Sequence, residues 1–173
     1  MGKKITIGII GIIAVILIIP IFLKSTFSVE RSIVISKPPA TVYKIVCDYG
    51  TWKNWSVWAM KDVSQKMTIT GAPCQLGHTQ EWDGQINGKG RQTITSLLPD
   101  QEIVFSLEFL EPNPMKSTAK MKFEEVSGGT KVTWSNTGEL EYPVGRYFGP
   151  FLDGLVGPDF EGGLQNLKAL VEK

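Results

Sequence analysis

The last part of the chain has apolar and polar positions spaced as in a helix. Between residues 147 and 173, apolar side chains recur at three- and four-residue steps, and Glu161, Gln165 and Lys168 fall on the opposite side. This pattern predicts one long amphipathic helix, kinked at Pro158. Gly163 lies on the apolar side, where its missing side chain leaves room for a close neighbour or for a ligand.

Residues 27–140 change to the alternating pattern of strands. A first strand over 27–35 is stopped by prolines, and a short helix over 40–49 follows it. Six further strands, separated by turn residues, are predicted at 66–70, 79–83, 90–98, 102–110, 117–126 and 130–140. The alternation leaves one face of the sheet apolar. The sequence therefore predicts an α+β domain of the helix-grip kind, a curved antiparallel sheet of about seven strands wrapped around the long C-terminal helix.

The N-terminal pattern differs from both of these. Residues 5–23 form an apolar run in which Thr6 is the only polar side chain. As a helix this run would extend about 28 Å, close to the thickness of the bilayer's hydrocarbon core. It predicts a transmembrane helix over about 5–23, within an anchor of residues 1–25, followed by a domain of residues 26–173. The alternatives are a cleaved signal peptide and a helix buried in the fold. The run exceeds the usual signal core and no small-residue cleavage site follows it, and a domain of this size would hardly bury a helix with no polar face.

Charge bears on orientation and on partners. Lys3, Lys4 and the terminal amine favour a cytoplasmic N-terminus, although three basic residues beyond the run nearly balance them. We expect a single-pass membrane protein with the domain on the outer, periplasmic or extracellular side.

Cys47 and Cys74 permit a disulfide without implying one. With 18 basic and 17 acidic side chains mixed along the chain, no nucleic-acid partner is expected. The oligomeric state stays open.

Several segments resemble a known family. Residues 30–43, which include Lys37-Pro38-Pro39, and residues 48–55, which include Trp52 and Trp55, are similar to the opening of the START/Bet v1-like (SRPBCC) superfamily, in its polyketide cyclase/dehydrase and lipid transport branch. The likeness continues in residues 88–91, 98–103 and 157–168, and covers about 27–173. It implies a β-α-α-β6-α order and a hydrophobic cavity between the sheet and the last helix. Members of the superfamily bind lipids, sterols or polyketides, and only some catalyse a reaction.

Candidate pocket residues come from the aromatic positions and from two strands. Trp52, Trp55 and Trp58 either plug one end of the core or form the lip of an apolar pocket or a membrane-facing surface. If the side of its strand that carries His78 is concave, His78 and Arg91 could hold the polar end of a ligand; otherwise they lie at strand ends in water. The remaining candidates for the pocket wall, with a solid core as the alternative, are Trp82, Phe105, Phe109, Met121, Trp134, Leu155, Phe160 and Gly163.

Groups for catalysis are sparse. The chain has one histidine, His78, no Gly-x-Ser-x-Gly motif and no Cys-x-x-Cys pair, so neither a hydrolase triad nor a metal site or cofactor is expected. Our first hypothesis is a membrane-anchored protein that binds a hydrophobic or lipid-like small molecule. The alternatives are a polyketide cyclase/dehydratase-like enzyme, with His78, Glu81 or Glu108 as its base, and an interaction module that uses the tryptophan cluster.

Overall fold

A computed structural model describes the backbone of residues 2–173 and the side chains of residues 6–173. The helices are α1 (Gly2–Ile18), α2 (Pro39–Val46), α3 (Tyr49–Trp52), α4 (Val57–Lys61) and α5 (Val144–Val171), with a 3-10 turn at Ile19–Ile21. The strands are β1 (Thr26–Ile35), β2 (Lys66–Thr70), β3 (Thr79–Gly84), β4 (Gly88–Leu98), β5 (Glu102–Glu111), β6 (Met115–Val126) and β7 (Gly129–Glu139). The predicted α+β class and all seven predicted strands are confirmed.

The strands form one antiparallel sheet in the order β1-β7-β6-β5-β4-β3-β2. Thr26 at the start of β1 pairs with Glu139 at the end of β7, and Ser117 near the start of β6 pairs with Gly138. Continued across the sheet, this register puts the hairpins at residues 84–88 and 111–115 at the same end as Thr26. We call this the α1 end of the domain, because α1 and its 3-10 turn precede β1 there.

Helix α5 lies on the concave face of the sheet, which makes the arrangement a helix-grip fold. Its second half is buried through Leu164, Leu167 and Val171, which belong to the same buried cluster as Val42 and Val46 of α2. The predicted single short helix over 40–49 is instead two, because Asp48 adopts an extended backbone and its carboxylate accepts a hydrogen bond from Gly50 N, beginning α3. The long helix starts three residues earlier than predicted and continues through Pro150 and Pro158.

One arginine fixes the contact between α5 and β1. Arg31 donates to Asp153 at 2.8 Å and to Glu161 at 2.6 Å, two carboxylates about two helical turns apart. A Cβ on Gly157, which lies between them, would overlap the guanidinium. The glycine in mid-helix therefore makes room for Arg31, whose hydrogen bonds hold the pKa of Asp153 below its usual value.

The N-terminal segment differs from its prediction. Instead of one helix over 5–23, α1 ends at Ile18 and the 3-10 turn contains Pro20, which has no N–H to donate back to the Ile16 carbonyl. That carbonyl instead accepts a hydrogen bond from the Tyr147 hydroxyl at 3.0 Å. Within residues 2–173, no helix has both the length and the apolar character needed to cross a membrane.

Cys47 and Cys74, which the sequence left open, form a disulfide. It joins the end of α2 to the loop before β3, and Cys74 N also donates to the Cys47 carbonyl at 3.1 Å. Cys47 is fully buried. The bond therefore ties the end of α2 to the β2–β3 loop, at the edge of the sheet opposite β1.

Candidate ligand cavity

A cavity of about 330 Å³ lies between the concave face and the helices α4 and α5. Its helical wall includes Trp52 of α3, Trp58 and Ala59 of α4, and Leu152, Val156 and Phe160 of α5. Its sheet wall includes four apolar side chains from the α1 end of their strands, Phe27, Trp82, Phe109 and Met115. The cavity therefore lies under the first half of α5, at the end of the domain from which α1 leaves, while the second half of α5 packs into solid core.

The position of Trp82 in the cavity wall depends on Gly90, which lies opposite it on the neighbouring strand. Gly90 of β4 pairs with Trp82 of β3, and a Cβ at Gly90 would overlap the indole ring. The ring lies across this gap, with its Nε1 donating to the Asn87 carbonyl at 3.4 Å and its edge against Phe109 at a centroid distance of 6.0 Å. A side chain at position 90 would displace the ring.

A second aromatic group forms the opposite side of the cavity. The rings of Trp134 and Phe160 are stacked, with centroids 4.4 Å apart. Trp58 meets both of them edge-on, at 5.6 Å and 5.7 Å. Because these rings come from β7, α5 and α4, the wall is made of three elements that pack through one aromatic cluster.

The polar groups of the cavity wall are uncharged. Gln80 of β3 donates from its Nε2 to the Oε1 of Gln92 on β4 at 3.0 Å, and both side chains are more than nine-tenths buried. Asn136 of β7 is buried to a similar degree. Within the described residues, the Oε1 of Gln80 and the Oδ1 of Asn136 have no hydrogen-bond partner, and no charged side chain lines the cavity. The cavity therefore offers amide groups to a ligand, and no countercharge.

Five of the predicted pocket residues lie on the cavity wall: Trp58, Trp82, Phe109, Trp134 and Phe160. Whether they contact a ligand stays a prediction. Trp55, Phe105 and Met121 are instead fully buried in the core. Trp52, which was considered part of the tryptophan cluster, does line the cavity.

Two predicted residues of α5 do not face the cavity. Leu155 is 65% exposed, because it lies on the outer side of the helix. Gly163 was expected to leave room for a close neighbour or a ligand, and the neighbour takes the space: a Cβ there would lie 3.0 Å from the Trp134 ring.

Neither His78 nor Arg91 lines the cavity. The Nε2 of His78 accepts a hydrogen bond from Tyr49 N at 3.2 Å, and its Nδ1 lies 3.0 Å from the Thr70 carbonyl, so that Nδ1 carries the proton. Arg91 pairs in the sheet with Glu81, on the face opposite to Gln92, and binds Glu108 there. Hydropathy alone could not show which side of β4 is concave.

None of the three proposed catalytic bases lines the cavity. Both ring nitrogens of His78 are used in backbone hydrogen bonds, and Glu81 is exposed. Glu108 binds Arg91 and Lys116, and the Arg91 hydrogen bond holds the pKa of Glu108 below its usual value. Among the described residues, no three His, Cys, Asp or Glu side chains are grouped as metal ligands would be.

The amide pair was missed as a site from sequence. Neither Gln80 nor Gln92 was among the candidate pocket residues. The usable signal was the hairpin at residues 84–88: a turn centred near residue 86 pairs Gln80 with Gln92. Because two glutamines on one cross-strand pair share a face, burial of one implies burial of the other.

These features define a helix-grip protein with a mostly apolar cavity under its last helix. The family model for polyketide cyclase / dehydrase and lipid transport matches residues 26–172, and the chain belongs to this family. A search of curated proteins finds no match.

Solved structures share the fold. Protein CV1439 from Chromobacterium violaceum is 18% identical, with a TM-score of 0.61, over 86% of this chain and 98% of that one. The di-domain ARO/CYC StfQ from the steffimycin biosynthetic pathway is 14% identical, with a TM-score of 0.67, over 85% of this chain and 51% of that one. The Aha1 dimer from Colwellia psychrerythraea is 18% identical, with a TM-score of 0.57, over 82% of this chain and 96% of that one.

Proposed function

We propose that this protein binds a largely apolar small molecule in the cavity under α5 and is anchored to a membrane by its N-terminal segment. The observation that carries the binding proposal is a cavity of about 330 Å³ with a mostly apolar wall and a few buried amides. Such a composition is typical of sites for small hydrophobic ligands. Binding removes apolar surface from water, which contributes about 25 cal/mol per Å².

The membrane part of the proposal is supported by the character of α1. Its apolar side chains are exposed all round, as shown by Ile7, Ile10 and Ile12, each more than 60% exposed. A helix that is apolar on every side needs an apolar environment. Together α1 and its 3-10 turn extend about 31 Å, close to the hydrocarbon thickness. We propose that they insert there together.

The disulfide supports an outward-facing domain. Cys47 and Cys74 form a bond of the kind that persists in oxidising compartments and is rare in the cytosol. Lys3 and Lys4, on the other side of the apolar segment, agree with a cytoplasmic N-terminus. The domain then lies on the periplasmic or extracellular side.

A cyclase or dehydratase reaction has less support. General acid–base catalysis needs a titrating side chain within hydrogen-bond reach of the substrate. Among the described residues, the cavity wall has no histidine, lysine, arginine, tyrosine, cysteine or carboxylate. The interaction-module alternative is also disfavoured, because Trp52 and Trp55 are at most 3% exposed and present no surface to a partner.

The binding proposal is tested on purified residues 26–173. This part is suitable because CV1439 has the same fold and is matched over almost its whole length. Native mass spectrometry and solvent extraction should find an apolar molecule at one copy per chain. The variant Ala59→Phe, which fills the cavity from half-buried α4, should lose it. A domain that carries no such molecule and takes up no dodecanol, before and after the substitution, would contradict the proposal.

A further inference from the structure

Two buried amides on neighbouring strands form a built polar site in an otherwise apolar wall. Gln80 and Gln92 are 5% exposed each and bind one another at 3.0 Å. One amide oxygen of the pair, the Oε1 of Gln80, is left without a partner among the described residues. A buried acceptor without a hydrogen bond is unfavourable, so a ligand that satisfies it gains affinity.

The chemistry of the pair selects the kind of group that fits. Either glutamine can donate to the other, and the pair then offers a free oxygen or a free N–H to the cavity. A hydroxyl matches both arrangements, since it donates one hydrogen bond and accepts others. A carboxylate only accepts hydrogen bonds, and it would enter a wall on which no described residue carries a positive charge. Burial of an uncompensated charge is strongly unfavourable.

A second buried amide extends this selection across the cavity. The Oδ1 of Asn136 on β7 also has no partner among the described residues, and β7 is separated from β4 by β5 and β6. Its neighbour two positions earlier, Trp134, presents an indole Nε1 that is likewise buried and unpartnered in the described part of the chain. These two polar groups of β7 are also uncharged.

We infer that the cavity selects neutral, hydroxyl-bearing apolar molecules over anionic ones, with Gln80 and Gln92 holding the hydroxyl. This inference depends on the proposed binding function and names its ligand class. A fatty alcohol, a sterol or an acylglycerol has the required chemistry. A fatty acid at neutral pH does not.

The test uses the full chain in phosphatidylcholine nanodiscs with two photoreactive probes, diazirine-labelled dodecanol and diazirine-labelled dodecanoic acid. Labelling of the peptides that contain Trp58, Met67 and Met115 is measured by mass spectrometry at equal probe concentration in the membrane. We expect at least several-fold more labelling by the alcohol. The double variant Gln80→Met and Gln92→Met should lose that preference, while Gln101→Met, an exposed residue in the β4–β5 turn, should keep it.

The outcomes separate this inference from the proposed function. Equal labelling by both probes, or a preference that survives in the double variant, would overturn the hydroxyl selection and leave apolar binding intact. If neither probe labels these peptides in the unmodified chain, apolar binding itself is contradicted.

An independent observation concerns the outer face of α5. Its first half exposes Val144, Phe148, Phe151 and Leu155 on one side, each more than half exposed. The two charged side chains in this half are both bonded elsewhere, Arg146 to the Pro20 carbonyl and Asp153 to Arg31. We call the four exposed residues the outer apolar face.

This face lies beside the end of α1. The hydroxyl of Tyr142 donates to the Leu17 carbonyl, that of Tyr147 to the Ile16 carbonyl at 3.0 Å, and Arg146 Nη1 to the Pro20 carbonyl at 3.1 Å. These bonds fix the start of α5 to the last turn of α1. Tyrosine and arginine side chains are typical of the membrane–water boundary.

The geometry points to the lipid bilayer as the occupant of the outer apolar face. If α1 inserts as proposed above, its hydrogen bonds to α5 hold this face at the membrane surface, as in an interfacial amphipathic helix. The cavity, which lies under the same half of α5, is then next to the bilayer. An apolar ligand can pass between lipid and cavity without crossing water.

A depth measurement on the full chain in nanodiscs tests this docking. Phe151→Cys, and separately Leu98→Cys at the opposite end of the sheet, are labelled with an environment-sensitive fluorophore; the native cysteines are joined to each other and do not react. Nitroxide lipids should quench the label at position 151 several-fold more than the label at 98. Equal, weak quenching at both positions would overturn the docking to lipid. A second copy that covers the face in place of lipid would give this result too. A chain that fails to float with lipid vesicles would instead contradict the anchor.

Discussion

The ring of Trp134 on β7 lies stacked on the ring of Phe160 on α5, 4.4 Å between centroids and 13° from parallel. This pair marks the boundary along α5 between the part that covers the cavity and the part that is buried in the core. On one side of it are Leu152 and Val156, and on the other Leu164 and Leu167. The pair therefore contributes to stability and to the shape of the cavity together.

Truncation of Phe160 should lower the stability of the domain and enlarge the cavity. We expect Phe160→Ala to lower the free energy of unfolding of residues 26–173 by about 3 kcal/mol, because a buried phenyl ring is lost and the cavity is enlarged. Urea unfolding followed by tryptophan fluorescence measures this. Phe148→Ala on the outer side of the same helix is the matched control, and an equal loss in both variants would show that the ring stack is not the cause.

A substitution at Gly163 should act on folding rather than on ligand uptake. A Cβ there would lie 3.0 Å from the Trp134 ring, so Gly163→Leu must displace that ring from a packed position. Overpacking of this kind lowers the free energy of unfolding by about 1–3 kcal/mol. Urea unfolding and dodecanol uptake should be measured on the same preparation. If dodecanol uptake falls while the unfolding midpoint is unchanged, Gly163 borders the ligand and the prediction is wrong.

Gly154, in the same helix, is the matched control for Gly163. A Cβ there meets nothing within 4 Å. Gly154→Ala should therefore raise the free energy of unfolding by about 0.5–1 kcal/mol, since alanine is the better helix former.

The sequence predicted elements better than it predicted which side chains face one another. Turn residues delimited every strand of the sheet, and alternation was clear in β6 and β7, because burial of one face leaves a period of two. It could not show which face of β4 is concave, and the choice of Arg91 over Gln92 follows from that gap. On α5, the apolar sector is wide enough to cover both the cavity side and the outer side, so Leu155 and Val156 were not distinguishable by hydropathy.

The positions of single residues depended on contacts distant in sequence. Gly157 is explained by Arg31 and Gly90 by Trp82, and neither reason is visible in the local pattern. Likewise, the Ile16 carbonyl that Pro20 leaves free at the end of α1 is bonded by Tyr147, far along the chain. A family resemblance supplied the cavity as an expectation, but not its uncharged lining.

Removal of the disulfide should destabilise the domain without changing its fold. The bond closes a sequence separation of 27 residues. Loss of a cross-link of this span lowers the free energy of unfolding by about 3 kcal/mol in the chain-entropy model. The variant Cys47→Ala with Cys74→Ala should show this shift in urea, with unchanged far-UV circular dichroism. A reducing agent should shift the unmodified domain by a similar amount and leave the variant unaffected; a shift in the variant would contradict this account.

Asp62 joins α4 to the β3–β4 hairpin and is 2% exposed. Its carboxylate accepts hydrogen bonds from the Ser64 hydroxyl at 2.5 Å, from Asn87 N at 3.0 Å and from Ile86 N at 2.8 Å. These bonds favour the charged form, with the Ser64 hydroxyl as the largest contribution, and they hold the pKa of Asp62 below its usual value. The hairpin that it fixes carries Trp82 and Gln80 into the cavity wall.

Because the pKa of Asp62 is lower in the folded chain, its contribution to stability is fully present above the unfolded pKa of about 4 and is lost as the pH falls through the folded value. Asp62→Asn should therefore lower the urea midpoint at pH 7, and the gap to the unmodified domain should narrow as the pH falls below about 4. Urea titrations at several pH values measure this, with Asp83→Asn, an exposed carboxylate on β3, as the control. A gap that stays constant down to acid pH would mean that the side chain acts through its shape and not its charge.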